Sequence, residues 1–267
     1  MAGGTDNDLL DCVPDEELPV FVFAHLSDTH LDDTPQAAAR TASVFDYLHA
    51  LARPVDAILI TGDVADHGLE DEYRLAAKLF ASPLPVLVCP GNHDVRDAYR
   101  KGLLGIAEGG TAAINARHDV AGAVFLLCDS SIPGADEGRL DAPTLAWLAA
   151  QLATVPAETP TFIAFHHPPV ELHHPVIDSM RLLDAAPLAA LVAAHPQVTA
   201  VLTGHAHTAA VSTFAGRPLL VAPGVISTLR LPWEGPGPLA DSVQPPGVAF
   251  HVLDDTGRLT THYRVVV

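Results

Sequence analysis

The sequence predicts an α/β protein built on two sheets with helices outside, and three observations carry that expectation. Short apolar, β-branched runs alternate with Ala-rich stretches at helical spacing through the first half of the chain. These runs are apolar at successive positions, as in strands covered on both faces. The C-terminal part reads as consecutive β-structure, closing on a hairpin at Asp254-Asp255-Thr256-Gly257. A chain of 267 residues, 49% of them hydrophobic, can bury a sizeable core, which excludes an intrinsically disordered protein.

In chain order, PVFVFAHLS (19–27) is a predicted buried strand and QAAARTASVFDYLHALA (36–52) a helix. DAILIT (56–61) is a strand, LEDEYRLAAKLFA (69–81) a helix and PVLVC (85–89) a strand. The pattern then changes, and 111–130 reads as two consecutive strands. An amphipathic helix over 142–155, a strand over 161–165, a helix over 184–195 and a strand over 199–203 follow. Segments 209–223 and 248–267 are β, and Gly- and Pro-rich 224–247 lies between them. A loop of that length covers a site, makes a contact or is disordered. Residues 1–18 are acidic and lack the basic and apolar regions of a signal peptide, so a flexible tail is expected before a single domain over 19–267.

The net charge of −18, from 14 basic against 32 acidic residues, disfavours nucleic acid and anionic lipid as partners. A small phosphorylated ligand stays compatible with it, because bound cations reverse the local field. The longest apolar stretches fall short of the ~20 residues that a spanning helix needs. Cys12, Cys89 and Cys128 form no CxxC pair, and the last two lie in apolar runs. Buried free thiols and a cytoplasmic protein are therefore expected.

The ends of the strands carry the chemistry. The first ends in Asp28-Thr29-His30, the second in Gly62-Asp63 with Asp66 and His67 following, and the third in Gly91-Asn92-His93-Asp94. TFIAF ends in His166-His167-Pro168-Pro169, and TAVLT in Gly204-His205-Ala206-His207. Open α/β sheets bind ligands beyond the carboxyl ends of their strands, so these clusters converge on one edge. Asp28, His30, Asp63, Asn92, His166, His205 and His207 are candidate metal ligands. Carboxylate, amide and imidazole together suit Mn, Fe(II), Zn or Co. The set is too large for one ion, whereas a shared carboxylate would let it serve two. Two ions ~3.5–4 Å apart suit in-line displacement at phosphorus.

DTH, GD, GNHD, H…PP and GHAH, in this order over roughly residues 19–223, resemble the calcineurin-like metallophosphoesterase superfamily. The pattern is most similar to bacterial class III cyclic nucleotide phosphodiesterases and their glycerophosphodiesterase relatives. The resemblance implies a four-layer αββα fold. It assigns Asp28, His30, Asp63 and His207 to one divalent ion, and Asp63, Asn92, His166 and His205 to the other, with Asp63 as the bridge. It implies attack by a metal-bridging hydroxide on a small phosphodiester, with His93 protonating the leaving oxygen and Asp94 orienting its ring. Asn92, His93 and His67 are expected substrate contacts. His67 stands where the Ser/Thr protein phosphatase branch has a phosphate-gripping Arg, which argues against phosphoprotein substrates. The leading substrate is a 3',5'-cyclic nucleotide. A glycerophosphodiester, a 2',3'-cyclic nucleotide and a phosphomonoester stay open, as does, more remotely, a metal-binding module without catalysis. A homodimer is compatible with the resemblance, and the C-terminal strands offer it an interface.

Among the other histidines, His25 reads as a core or sheet-packing residue and His167 as a wall beside the ligands. His173 and His174 read as a solvated loop. His49, His118, His195, His251 and His262 are given no chemical role. Trp147 is expected in the core. Trp233 and Arg230 lie in the long loop, where the sequence leaves their roles open.

Overall fold

A computed structural model describes residues 20–267, so the tail expected over 1–18, with Cys12, lies outside the described residues. The chain runs β1 (Phe21–Leu26), α1 (Pro35–His49), β2 (Ala57–Thr61), α2 (Glu70–Leu79), β3 (Val86–Cys89) and α3 (Arg96–Gly102). It continues with β4 (Ala116–Val120), β5 (Ala123–Leu127), α4 (Ala142–Leu152), β6 (Thr161–Ala164), α5 (Pro175–Ser179), α6 (Ala186–Ala194) and β7 (Val198–Thr203). The rest is β8 (Ala210–Phe214), β9 (Arg217–Val221), β10 (Thr228–Leu229), β11 (Ala240–Asp241), β12 (Gly247–Leu253) and β13 (Leu259–Val265).

Five strands form one sheet in the order β13-β12-β1-β2-β3, and six form the other in the order β4-β5-β6-β7-β9-β8. The pairs β1–β2, β2–β3, β5–β6, β6–β7 and β7–β9 are parallel, with antiparallel strands at the edges. The period of two in a strand then sorts side chains into layers. Phe23, Ala57, Leu59, Phe125, Leu127, Phe162 and Leu202 meet between the sheets. There the Phe23 ring stands edge-on to Phe125 and Phe162, with centroids 5.1 and 4.9 Å apart. Ala24, Leu26, Ile58 and Ile60 instead pack on Val44, Phe45, Leu48 and Tyr73 of the helices α1 and α2. Val124, Leu126, Ile163 and Val201 pack on Leu148, Leu152, Leu188 and Val192 of α4 and α6. The result is the four-layer αββα arrangement.

Several elements differ from expectation. α3 and α5 are seven and five residues long, too short to show helical periodicity. Residues 111–115 are not strand; the backbone there is satisfied by side chains instead. Arg100 donates to the carbonyls of Gly110, Ala112 and Ala113 at 2.8, 2.6 and 3.2 Å, and Asp129 accepts from Ile114 N–H at 2.9 Å. The stretch 224–247 carries the short β10–β11 ladder. Trp147 is only half-buried, at the margin of the core under α4. Among the described residues, no helix is long and apolar enough to cross a membrane.

Candidate metal centre

The strands end where the chemistry begins because the chain turns sharply there. Asp28, His30, Asp63, His205 and His207 all have positive φ, between 40° and 67°. Left-handed backbone costs an L-residue about 1–2 kcal/mol, and Asp and His tolerate it better than most. Concentrating it at five of the seven candidate ligands aims their side chains off the strand ends into one space. Glycine makes the close approach possible. A Cβ on Gly62 would stand 2.5 Å from His166 Nδ1 and 2.8 Å from Gly91 N, and one on Gly204 would overlap the Ser27 hydroxyl.

Six of the seven side chains converge as two overlapping sets, and Asn92 lines the same cavity. Asp28 Oδ1 lies 3.5 Å from His207 Nε2, and Asp63 Oδ2 lies 3.5 Å from His30 Nε2. On the other side, His166 Nε2 lies 3.2 Å from Asp63 Oδ2 and 3.1 Å from His205 Nδ1. Asp63 Oδ2 is thus the atom common to both sets. Ligand atoms ~2.1 Å from one tetrahedral ion stand about 3.4 Å apart, so these separations suit bound cations. Asp28 Oδ1, His30 Nε2 and Asn92 Oδ1 are buried without any hydrogen-bond partner, an expensive state unless a ligand fills it.

Neighbours fix which ring nitrogen is offered. His30 Nδ1 is 2.8 Å from Asp66 Oδ1, His166 Nδ1 is 2.6 Å from the Thr61 carbonyl, and His207 Nδ1 is 2.9 Å from Ser227 Oγ. Each outward nitrogen is engaged, which leaves the inward Nε2 lone pair free for a cation. The sequence reading missed all three partners. Asp66 was in view three residues after Asp63, whereas no local signal marks the Thr61 carbonyl or Ser227.

The charges answer one another. Burial alone would raise the Asp63 carboxyl, but the field and hydrogen bond of His166, with His30 and His93, hold it well below the usual range. Burial works against the His166 imidazolium, yet Asp63 and Asp28 push it up to about 9. His205, buried beside His166, is driven down to about 3. Asp63, Asp28 and Asp66 thus favour protons on His166 and His30 when no cation is bound, and divalent ions would take their place.

One expected role is corrected. Asp94 does not orient His93. It is buried, and its carboxylate accepts from Gly91 N (2.8 Å), Val64 N and Ala65 N (both 3.1 Å) and Tyr73 OH (3.0 Å). It ties the Gly62-Asp63 and Gly91-Asn92 turns together, and burial with the nearby Asp63 pushes it up to about 6. His93 Nδ1 instead lies 2.8 Å from the Asp66 carbonyl. His67 lies beside Asp66, with its Nε2 3.4 Å from Asp66 Oδ2. Its Nδ1 is 2.8 Å from Glu72 Oε1, and it faces a separate groove shared with Asp32, Asp33 and Asp71.

His167 is buried beside the candidate ligands His166 and His205, but Ser130 Oγ at 2.8 Å and the Asp136 carbonyl at 3.2 Å occupy both its nitrogens. His174, contrary to a solvated reading, is buried, accepts from Ile177 N–H at the start of α5 and reaches the Arg230 carbonyl at 3.1 Å. Arg230 turns back on its own loop, donating to the Pro238 carbonyl at 3.3 Å, and Trp233 is exposed.

Comparison with known proteins agrees with this geometry. Residues 21–209 match the calcineurin-like phosphoesterase family. A probable cyclic nucleotide phosphodiesterase of Rhodococcus erythropolis is 34% identical over 252 residues, 89% of this chain and 82% of that protein. The glycerophosphodiester phosphodiesterase GpdQ of Enterobacter lignolyticus is 29% identical over 241 residues, 86% of each chain. In fold, the chain resembles a dimetal phosphatase from Danio rerio at a TM-score of 0.64 and 14% identity, covering 92% of this chain and 99% of that one. The chain belongs to the calcineurin-like phosphoesterase family. It is a hydrolase of phosphate esters that uses two divalent metals.

Proposed function

We propose that the chain hydrolyses 3',5'-cyclic nucleotides, with Asp28, His30, Asp63 and His207 holding one cation and Asp63, Asn92, His166 and His205 the other. The observation that carries the substrate class is the lining of the catalytic cavity. His30, Asp63, Asn92, His93, His205 and His207 line this space of about 220 Å³ together with Val176, Ile177, Met180, Leu229 and Leu239. Asp136 also lines it, and among the described residues no Lys or Arg does. A dianionic monoester would rely on the cations alone and meet the Asp136 carboxylate. A diester carries less charge, and a ring on it can lie against the apolar residues. The name of the Rhodococcus relative points the same way. The name of the Enterobacter relative supports a glycerophosphodiester as the second reading, although glycerol would make little use of the apolar lining. Free buried thiols at Cys89 and Cys128 favour a reducing compartment, and we place the reaction in the cytoplasm.

When bound, two divalent cations lower the pKa of water and neutralise charge on the phosphoryl oxygens. The chain's own residues orient and move protons. Asp66 holds His30 through its carboxylate and His93 through its carbonyl. With His93 Nδ1 so engaged, Nε2 is the nitrogen that hands a proton to the departing ribose oxygen, a task suited to an imidazole near neutral pH.

The test is hydrolysis of 3',5'-cAMP, glycerol-3-phosphoethanolamine and bis(p-nitrophenyl) phosphate by Mn-loaded wild type and His93→Asn. The cyclic nucleotide rate is expected to fall about 10²–10³-fold in the variant. The p-nitrophenyl diester should lose less, because its leaving group departs without a proton. Turnover of the glycerol diester but not of cAMP would transfer the assignment to the second reading. Equal losses on all three substrates would remove His93 as the acid.

A further inference from the structure

The stretch between β9 and β12 supplies Leu229 and Leu239 to the catalytic cavity, yet its own secondary structure is a ladder of two residue pairs. So short a hairpin is not stable in isolation. Its two feet meet at one side chain outside the catalytic machinery, Arg40 on α1. Arg40 Nε donates to the Val225 carbonyl at 2.7 Å, Nη1 to the Ser242 carbonyl at 3.1 Å and Nη2 to the Gln244 carbonyl at 2.7 Å. One planar guanidinium thus closes the stretch at both ends, with three donors in a fixed fork that no lysine reproduces. The first foot leads straight to the metal ligands. Val225 N–H donates to the Ser27 carbonyl at 2.9 Å, Ile226 N–H to the Asp28 carbonyl at 3.1 Å, and Ser227 Oγ meets His207 Nδ1 at 2.9 Å. At the ladder itself, Thr208 Oγ1 donates to the Leu229 carbonyl at 2.9 Å.

We infer that Arg40 is a positioning residue for substrate recognition: by clasping both feet of 225–244 it sets the apolar lining of Leu229 and Leu239 at the distance from the cations that the organic part of the diester requires. The lining, and not the cations, is what it places. The substrate class in this inference rests on the proposed function, while the clasp does not.

The experiment uses the full metal-loaded chain as wild type, Arg40→Ala, Arg40→Lys and Leu239→Ser. Measured are KM and kcat for 3',5'-cAMP and bis(p-nitrophenyl) phosphate, bound metal, and amide hydrogen exchange. In Arg40→Ala, exchange should quicken across 228–244, while 225–227, tied to Ser27, Asp28 and His207, keep their protection together with β2 and β3. KM for both ring-bearing diesters should rise about tenfold with kcat within threefold and metal content unchanged, the pattern of lost binding rather than lost chemistry. Arg40→Lys should fall between wild type and Ala, and Leu239→Ser should raise KM without changing exchange. Unchanged exchange in Arg40→Ala would overturn the clasp. Quickened exchange with unchanged KM would overturn the recognition role, as would a parallel loss of kcat and metal. A wild type that turns over the p-nitrophenyl diester but not cAMP would sink the cyclic nucleotide reading and leave the Arg40 test standing on the other substrate.

Discussion

His25 and His251 lie side by side within one sheet, fully buried, whereas His30, His166, His205 and His207 lie just past the strand ends, three of them buried and His207 partly so. The first pair is saturated. His25 Nε2 meets Thr61 Oγ1 at 2.9 Å, the two rings share a proton at 3.1 Å, and His251 Nδ1 meets Thr261 Oγ1 at 2.8 Å. All four nitrogens have partners while both rings stay neutral, and burial holds His251 down at about 3. In the second group the outward nitrogen of three rings is tied down, and the inward ones face one another and the carboxylates of Asp28 and Asp63. An imidazole is therefore structural when hydroxyls and a neutral ring complete its hydrogen bonds, and available to a cation when its inward nitrogen faces carboxylates and other inward imidazoles. Residue type does not separate the cases; the accounting of partners does.

The sharpest way to break this contrast is at the atom common to both ligand sets. Asp63→Asn should lower hydrolysis of bis(p-nitrophenyl) phosphate by on the order of 10³-fold or more and reduce bound metal, read by elemental analysis. His251→Gln, with its metal content unchanged, should leave that rate within a few-fold. If the two variants lost activity alike, the division between structural and available histidines would be wrong.

A smaller effect tests the outward partners. Ser227→Ala leaves every candidate ligand in place but frees His207 Nδ1, and should weaken metal binding about tenfold in competition with a chelator. An unchanged affinity would mean that packing alone orients the ring.

The smallest effect is expected in stability against pH. His25 and His251 are both held below their unfolded values, so the unfolded chain binds more protons than the folded one below pH ~6.5. Their stabilisation is complete above ~6.5 and is lost as pH falls toward the folded value of about 3 for His251. One such group costs about 2 kcal/mol between pH 6.5 and 5. Urea unfolding with EDTA present, at pH 7 and 5, should show a smaller pH dependence for His251→Gln than for wild type. Identical dependences would place the acid sensitivity elsewhere.

The local sequence marks much of this molecule. Each of the expected strands 19–27, 56–61, 85–89, 161–165 and 199–203 contains an observed one, and the polar clusters after them share one space. That is legible because strands covered on both faces must be apolar throughout, so a sudden Asp, Asn or His stands out. α3 and α5 were not legible, since one or two turns carry no periodicity. Nor was the partner of Asp94. The resemblance implied His93, but the carboxylate turns instead to the amides of Val64 and Ala65, about thirty residues away.

By itself the sequence determined the layers, through runs of apolar residues with a period of two or 3.6, and the stock of candidate ligands, through residue type at strand ends. The tertiary structure alone decided which nitrogen each histidine offers, which carboxylate oxygen faces both sets, and that Arg40 on α1 clasps a stretch some 200 residues later. The physical reason is range. Periodicity and turn chemistry act over a few residues, whereas hydrogen bonds such as His166 to Thr61 and His207 to Ser227 exist only once two sheets have packed.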